Sequence, residues 1–183
     1  LLGGSSGTGK TCLADELGRF YGVSVVKADD IYAAVKAVTA PEILPAVHYW
    51  DTGIDWMGVG VAENVEWLKR VSKEMLPALN AIADNHLEEN IPVIIEGDFI
   101  CPEASMYINH PNVKSLFVYE PDCEQIVQNY LMREGGEAQQ YRAEISAAYG
   151  SWIADACKEK GIPLIEARPW DTALERVVAW MRS

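Results

Sequence analysis

The sequence predicts an α/β protein in which helices cover both faces of a parallel sheet of about five strands. Short, β-branched apolar runs alternate with segments of helical length, as they do when each strand is followed by a helical crossover. The runs are continuously apolar, which is typical of strands covered on both faces. At 183 residues, 49% of them hydrophobic and 23% charged, the chain has the size and composition of one domain with a single core.

Four apolar runs mark strands of this sheet, and a further strand is expected at the start of the chain. The runs lie at residues 22–28, 91–95, 113–119 and 162–165. Leu1 and Leu2 stand directly before a glycine-rich loop, so we expect a first strand trimmed to its last residues. Residues 31–90 are too many for a simple crossover and predict a helical insertion within a single domain of residues 1–183.

The net charge and the cysteines indicate which partners the protein can bind and in which cellular compartment it is expected. Fifteen basic against 27 acidic residues give a formal charge of −12, which opposes binding to a nucleic-acid backbone. Cys12, Cys101, Cys123 and Cys157 are scattered without a C-x-x-C pair, and we expect reduced thiols. No run approaches the ~20 apolar residues of a membrane span, and no signal sequence opens the chain. The sequence therefore predicts a cytoplasmic protein that binds neither membrane nor nucleic acid, and leaves its oligomeric state open.

The most specific motif is a glycine-rich loop placed where a strand passes into a helix. Gly4-Ser5-Ser6-Gly7-Thr8-Gly9-Lys10-Thr11 fits G-x-x-x-x-G-K-[ST], and we assign it, with Cys12 after it, to nucleotide binding. Backbone N–H groups of such a loop surround phosphates at the positive end of the helix. Lys10 is expected to reach the β and γ phosphates of ATP, and Thr11 to hold Mg²⁺. A plain glycine turn is the alternative, but these four fixed positions coincide by chance in roughly one such chain in a few hundred.

The loop and three shorter segments resemble the P-loop small-molecule kinases. Asp29-Asp30 after the second strand resembles the acceptor-activating site of polynucleotide kinases, zeta toxins and chloramphenicol phosphotransferase, and residues 94–97 resemble the third strand of 2-phosphoglycerate kinase-like proteins. Residues 133–142 resemble the arginine-bearing lid of nucleotide and shikimate kinases, and residues 167–170 resemble their adenine-contacting loop. The resemblance implies a P-loop NTPase three-layer sandwich with an acceptor-binding insertion and a lid. Tyr32, where many relatives carry Arg or Lys, and Glu96, where the strand commonly ends in Asp, depart from the pattern.

Asp29 is our candidate for the catalytic base. It follows a central strand beside the phosphate loop, at the edge where open α/β sheets bind ligands, and could accept the proton of an acceptor hydroxyl. The alternative is that Asp29 or Asp30 only caps a helix over residues 31–38. Both roles can be present together: Asp30 then caps the helix and Asp29 acts as the base, and both contact the acceptor.

Two arginines flank a pair of glycines in the predicted lid. Arg133 ends one helix and Arg142 begins the next, and either guanidinium could bind the transferring phosphoryl group. We expect Arg133 to be the more important. The alternative is that both form ordinary ion pairs with Glu134, Glu137 or Glu144.

Glu96 and the loop after the last strand are further site candidates. Glu96 ends an apolar strand, so its carboxylate is expected at the same edge as Asp29, where it could serve Mg²⁺ or bind the acceptor. Arg168 and Pro169 could sandwich the adenine ring. The alternative for Pro169 is that it merely begins the last helix.

The insertion contains a dense aromatic group: Tyr32, His48, Tyr49, Trp50, Trp56 and Trp67. We expect the acceptor pocket here, with Tyr32, Trp50 and Trp56 as contacts; the alternative is that the rings are only the insertion's core. Between residues 31 and 60 the only basic residue is Lys36, so a multiply anionic acceptor would lack partners.

These observations predict an ATP-dependent phosphotransferase that acts on a hydroxyl of a small, neutral or cationic molecule. One alternative is a nucleotide-binding regulatory NTPase, although the chain lacks the N-K-x-D and D-x-x-G patterns of guanine-nucleotide switches. A nucleoside monophosphate kinase or a 2-phosphoglycerate kinase is a second alternative, and it demands more basic residues around the acceptor.

Overall fold

The computed structural model describes residues 1–182, which form a five-stranded parallel sheet between two layers of helices. The strands are β1 (Leu2–Gly3), β2 (Ser24–Lys27), β3 (Val93–Gly97), β4 (Leu116–Tyr119) and β5 (Leu164–Glu166). The helices are α1 (Lys10–Tyr21), α2 (Ala28–Val38), α3 (Val61–Glu89), α4 (Pro102–Tyr107), α5 (Cys123–Glu134), α6 (Gln140–Lys160) and α7 (Ala173–Arg182).

The sheet confirms the predicted class and number of strands. Its order is β2-β3-β1-β4-β5, and every neighbouring pair is parallel. Each of β2 to β5 begins two or three residues after the start of the apolar run that predicts it. The first residues of each run belong to the connection that leads into the strand. β1 is short, as expected, and pairs with Glu96 and Gly97 on one side and with Leu116 and Phe117 on the other.

The strand order sets the place of the site. β1 lies at the centre of the sheet, with β3 and β2 on one side and β4 and β5 on the other. Open α/β sheets bind ligands outside the carboxyl ends of the strands at such a switch point. The phosphate loop follows β1, Asp29 follows β2, and Asp98 follows β3. Three segments with polar side chains therefore meet at one edge.

Each face of the sheet has its own apolar core. One core joins Met75 and Leu79 of α3 and Ile153 of α6 to the sheet, with Phe117 of β4 fully enclosed. The other packs α1 and α7 on the opposite face, around Leu13, Leu17 and Val177. Burial on both faces explains why the strands are apolar throughout.

The insertion is helical, as predicted, but its first helix begins earlier than expected. α2 starts at Ala28, directly after β2, so Asp29 and Asp30 lie in its first turn, and Lys27 occupies the N-cap position without a side-chain capping bond. The prediction that Asp30 caps a helix over residues 31–38 is therefore wrong. Asp30 lies inside the helix, where its carboxylate favours the positive helix end only electrostatically.

Within residues 1–182, none of the helices is both long and apolar enough to cross a membrane.

Candidate active site

The phosphate loop is held open from outside by side chains of α5 and α6. Asn129 Nδ2 donates to the carbonyl of Gly7 over 2.7 Å, and Ser146 Oγ donates to the carbonyl of Ser6 over 2.8 Å. Within the loop, Thr8 Oγ1 donates to the carbonyl of Ser5 over 3.0 Å. These bonds hold three carbonyls of the loop on protein donors, which suits a loop whose N–H groups are expected to bind phosphates.

Two loop glycines are required by their surroundings. Gly7 has φ +75°, and a Cβ there would lie 2.8 Å from Ile126 Cγ2; Gly9 has φ +80°, and a Cβ there would lie 2.1 Å from the Trp170 ring. A side chain at either position would therefore meet both backbone strain and a steric clash. The loop conformation therefore depends on glycine at both positions, as the phosphate-loop pattern requires.

Lys10, the invariant lysine of the loop pattern, forms an ion pair with Asp98. Its Nζ donates to the Asp98 carboxylate and to the carbonyl of Ser5 at 3.3 Å, and its side chain is only 7% exposed. Burial alone would lower the pKa of Lys10, but the carboxylates around it, Asp98 first, raise it above its usual value. Lys10 is therefore charged and immobilised beside the loop.

Thr11 and Glu96 are brought together, as the sequence predicts. Thr11 Oγ1 lies 3.2 Å from both carboxylate oxygens of Glu96, which is 3% exposed. Burial raises the pKa of Glu96, and Lys10 partly offsets this. One hydroxyl and one carboxylate suit Mg²⁺, which takes few protein ligands and keeps water and phosphate oxygens as the others. Across residues 1–182, no group of three or more His, Cys, Asp or Glu side chains could hold a metal by itself.

Asp29 lies at the rim of the site, exposed to solvent on one side. The surrounding protein desolvates its carboxylate enough to raise its pKa, Asp98 raises it further, and Lys10 and Arg133 counteract the rise. Asp29 is therefore within electrostatic reach of the phosphate loop, the end of β3 and the lid. Asp30 is next to it on the exposed face of α2.

The lid arginines converge on one carboxylate. Arg142 Nη1 lies 2.9 Å from Glu134 Oε2, Arg133 Nε lies 3.1 Å from Glu134 Oε1, and both guanidinium groups lie over the Tyr130 ring. Hydrogen bonding from Gln139 and then from Arg133 lowers the pKa of Glu134 to about 2. The ion pairs weighed as the alternative are thus present, with Glu134 as the shared partner.

The loop after β5 lies against the phosphate loop, but Arg168 has a partner of its own. Arg168 Nε and Nη2 donate to the two carboxylate oxygens of Glu120 over 2.8 and 2.7 Å, and Glu120 is 1% exposed. Pro169 is exposed and precedes a short 3₁₀ turn that leads into α7. Trp170 is the residue whose ring packs on Gly9.

A cavity of about 250 Å³ adjoins the phosphate loop. Trp50 and Trp56, two of the three expected acceptor contacts, line it together with Arg142, whereas the third, Tyr32, is not among its described lining residues. Asp98 lines it as well, and through Lys10 connects it to the phosphate loop. The remaining walls are Ser6, Asn64, Leu68, Phe99, Tyr130, Ile145, Ser146 and Tyr149.

The other aromatic residues of the insertion serve its core. Tyr49 is 2% exposed and stacks on Trp67 with ring centroids 4.1 Å apart. Tyr32 donates its hydroxyl to the carbonyl of Val47 over 2.6 Å and stacks on Phe99, and His48 is buried. Some members of the aromatic group thus form the core of the insertion, whereas Trp50 and Trp56 lie at the cavity.

Sequence reasoning missed Asp98 and Tyr149, and it included Trp170 only as a member of the segment 167–170, without a role of its own. Asp98 stands two residues after Glu96, so the rule that placed Glu96 at the carboxyl edge of the sheet could have found it. Trp170 follows the recognised Arg168-Pro169 pair directly. No sequence signal marks Tyr149, whose hydroxyl lies 2.8 Å from Ser72 Oγ and 3.3 Å from the carbonyl of Asp98.

Comparison with known proteins gives relatives of one kind. The chain is 25% identical over 198 residues to a 2-phosphoglycerate kinase of Methanopyrus kandleri, a match that covers 100% of this chain and 60% of that protein. It is 24% identical to a 2-phosphoglycerate kinase of Methanocaldococcus jannaschii, covering 91% and 57%. The chain thus spans about three fifths of the length of these curated relatives. No protein-family model matches it.

Solved structures of small-molecule kinases share the fold. A gluconokinase from Sinorhizobium meliloti 1021 has a TM-score of 0.56 at 13% identity, covering 97% of this chain and 87% of that one. A shikimate kinase from Acinetobacter baumannii has a TM-score of 0.52 at 14% identity, covering 99% and 91%. At these identities the likeness concerns the fold alone.

A phosphate loop after the central strand of a five-stranded parallel sheet defines a P-loop nucleotide-binding protein. Within that class, the curated relatives are 2-phosphoglycerate kinases and the structures that share the fold are small-molecule kinases, which agrees with the resemblance seen in the sequence.

Proposed function

We propose that this chain is an ATP-dependent phosphotransferase that moves the γ-phosphoryl group to a hydroxyl of a small, neutral or cationic molecule. The observation that carries the proposal is the junction at Asp98, which contacts Lys10 of the phosphate loop and lines the adjoining cavity. A donor site and an acceptor site that share a wall provide the proximity that phosphoryl transfer requires.

The chain's own residues supply the roles of such a reaction. Lys10 and a lid arginine stabilise negative charge on the transferring phosphoryl group, and Asp29 accepts the proton of the acceptor hydroxyl. Thr11 and Glu96 would hold Mg²⁺, which supplies positive charge between the phosphate oxygens when bound. The loop that carries Arg168 and Pro169 flanks the adenine, with the Arg168 guanidinium fixed by Glu120.

The cavity's chemistry favours an acceptor with few charges. Its volume of about 250 Å³ suits a compact molecule, and Trp50 and Trp56 offer ring faces for stacking. Among its described lining residues Arg142 is the only cation and Asp98 the only carboxylate. Lys36, the one basic residue between positions 31 and 60, lies 2.7 Å from Asp51 and is engaged there. An acceptor with several anionic groups would therefore lack partners, since burying an unpaired anion is costly.

A 2-phosphoglycerate kinase is the second candidate. The names of the curated relatives favour it, as does Arg142 at the cavity, with Arg133 paired to the same carboxylate, Glu134. Binding such an acceptor here would require Arg133 and Arg142 to exchange Glu134 for the acceptor's phosphate or carboxylate.

The test is a coupled ADP-release assay with Mg²⁺–ATP and a panel of acceptors. The panel holds adenosine, D-glucose and ethanolamine as neutral or cationic compounds, and 2-phosphoglycerate and AMP as anionic ones. We expect release that depends on a neutral or cationic acceptor. Best activity with 2-phosphoglycerate would establish the second candidate, and release independent of any acceptor would indicate a regulatory NTPase.

Lys10→Ala tests the phosphate-loop mechanism. We expect it to abolish ADP release because it removes the charge that holds the β and γ phosphates, while circular dichroism shows an intact fold. The matched control is Lys158→Ala, which removes an exposed lysine on α6 whose side chain is 72% exposed. Unchanged turnover in Lys10→Ala would overturn the mechanism.

A further inference from the structure

Lys10 forms an ion pair with a carboxylate of the protein itself, that of Asp98. Its ammonium group donates to Asp98, and its side chain is nearly enclosed. In the proposed function the same ammonium group must hold the β and γ phosphates of ATP. Two anions therefore compete for one enclosed cation.

The position of the Asp98 carboxylate beside Lys10 becomes unfavourable once a triphosphate binds, because the phosphates need the same ammonium group. The Asp98 carboxylate pairs with Lys10, and the carboxylates of Glu96 and Asp29 lie close enough to act on the same lysine. Even with Mg²⁺ held at Glu96, the phosphates and the Asp98 carboxylate would compete for the one Lys10 ammonium group, which favours a change of partner for Asp98. Of the three, Asp98 is the one that borders the cavity.

The backbone of Asp98 is held by a hydrogen bond, whereas its side chain is partly exposed and borders the cavity. Its carbonyl accepts a hydrogen bond from the Tyr149 hydroxyl at 3.3 Å, and Tyr149 is itself 2% exposed and bonded to Ser72. The Asp98 side chain, in contrast, is 25% exposed. A change of rotamer would carry the carboxylate from Lys10 toward the cavity without moving the chain.

We propose that Asp98 is a positioning residue that holds Lys10 until phosphates bind and then releases it, so that its carboxylate then faces the acceptor cavity. This inference rests on the proposed function, because it requires a triphosphate in the loop. It implies that Asp98 lowers the affinity for ATP. It also implies that the nucleotide-bound cavity presents a free carboxylate, suited to an acceptor's hydroxyl or ammonium group and repulsive to an anion.

The experiment is calorimetric titration of Mg²⁺–AMP-PNP, a non-hydrolysable ATP analogue, into four proteins: wild type, Asp98→Asn, Lys10→Met and the double variant. We expect Asp98→Asn to bind AMP-PNP about fivefold more tightly or better, the range of ordinary coupling between two interactions. In the Lys10→Met background the same change is expected to have less than about twofold effect, because the ion pair is already absent. Asp155→Asn, on the exposed face of α6, controls for the change in net charge.

Each outcome decides between the two claims. No binding of AMP-PNP to the wild type would overturn the proposed function, whereas binding that Asp98→Asn leaves equal or weakens would overturn this inference alone. An equal gain in the Lys10→Met background would show general repulsion instead of competition for Lys10. If Asp98→Asn does not fold, Asp98→Ser takes its place, and a crystal structure of the wild type with Mg²⁺–AMP-PNP decides independently. There we expect Lys10 on phosphate and Asp98 toward the cavity; an intact Lys10–Asp98 pair beside the phosphates would refute the inference.

Discussion

Replacing Asp29 with Asn separates catalysis from nucleotide binding. If Asp29 accepts the proton of the acceptor hydroxyl, its loss should lower kcat by roughly 10²- to 10⁴-fold, the usual worth of a positioned base. At about 1.4 kcal/mol for each tenfold change, this corresponds to about 3 to 5 kcal/mol of the barrier. Nucleotide binding should not weaken, because the variant removes a negative charge near the phosphate loop.

Asp30→Asn is the natural comparison, since the two carboxylates share the first turn of α2. Each favours the positive end of the helix by about 0.3–1 kcal/mol, so the two substitutions should cost similar small amounts of stability. The electrostatic surroundings differ: Lys10 and Arg133 both act on the pKa of Asp29. We therefore expect Asp30→Asn to affect the KM for the acceptor and to leave kcat close to the wild-type value.

The assay is coupled ADP release with the best acceptor of the panel, together with AMP-PNP titration and thermal unfolding of each variant. A large loss of kcat in Asp29→Asn with retained AMP-PNP affinity is the expected result. The reasoning is refuted if Asp30→Asn shows the larger loss, which would reverse the roles. It is refuted equally if both variants keep wild-type kcat, which would leave the reaction without a base on α2.

Three further substitutions test the lid, the cavity and its support. Arg133 lowers the pKa of Asp29, so Arg133→Gln should move the acid limb of the kcat/KM pH profile to higher pH; an unmoved limb would separate Arg133 from the base. Trp56→Ala should raise the KM for the acceptor with little change in AMP-PNP affinity, and an unchanged KM would place the acceptor elsewhere. Tyr149→Phe removes the hydroxyl bonded to the Asp98 carbonyl and should lower stability by about 1 kcal/mol, or about 2–4 °C in melting temperature; an unaltered melting temperature would show that this bond contributes nothing.

The pH dependence of stability follows from the same carboxylates. The pKa values of Asp29 and Glu96 are raised in the folded protein, so the folded state binds protons more tightly than the unfolded state. Their contribution is most favourable below the unfolded pKa values and is lost as pH rises through the raised ones. Both groups therefore oppose folding at neutral pH, a cost that is reasonable for residues placed to serve a site.

The sheet could be predicted from the sequence because its strands are buried on both faces. Such strands are continuously apolar and can be recognised without knowing the tertiary structure. The sequence was also sufficient for the phosphate loop, whose residue types are fixed by the local backbone. The error at the start of α2 has a local cause. Asp before a helical run is a good cap, but here the strand passes into the helix without a turn, and Lys27 occupies the cap position.

Pairings between distant segments could not be derived from the sequence. Lys10 and Asp98 are 88 positions apart, and Arg168 and Glu120 are 48 apart. Each pairing depends on which strand ends lie side by side, which the order of strands along the chain does not reveal. The division of the insertion's aromatic residues between core and cavity is of the same kind, because sequence spacing does not show which side of the packed insertion a ring will face.

The arrangement of charge at the carboxyl edge explains why the cavity and the phosphate loop should act together. Lys10, Arg133 and Arg142 are all paired with protein carboxylates. A cation held this way stays fixed in the site, and an incoming phosphate must displace a carboxylate to reach it. The need to displace a carboxylate lowers the affinity of the site for a ligand with one anionic group. It favours a ligand that offers several phosphate oxygens at once. A nucleotide triphosphate does this, whereas a lone anionic acceptor does not, so the same ion pairs that moderate ATP binding also discriminate against an anionic acceptor in the cavity.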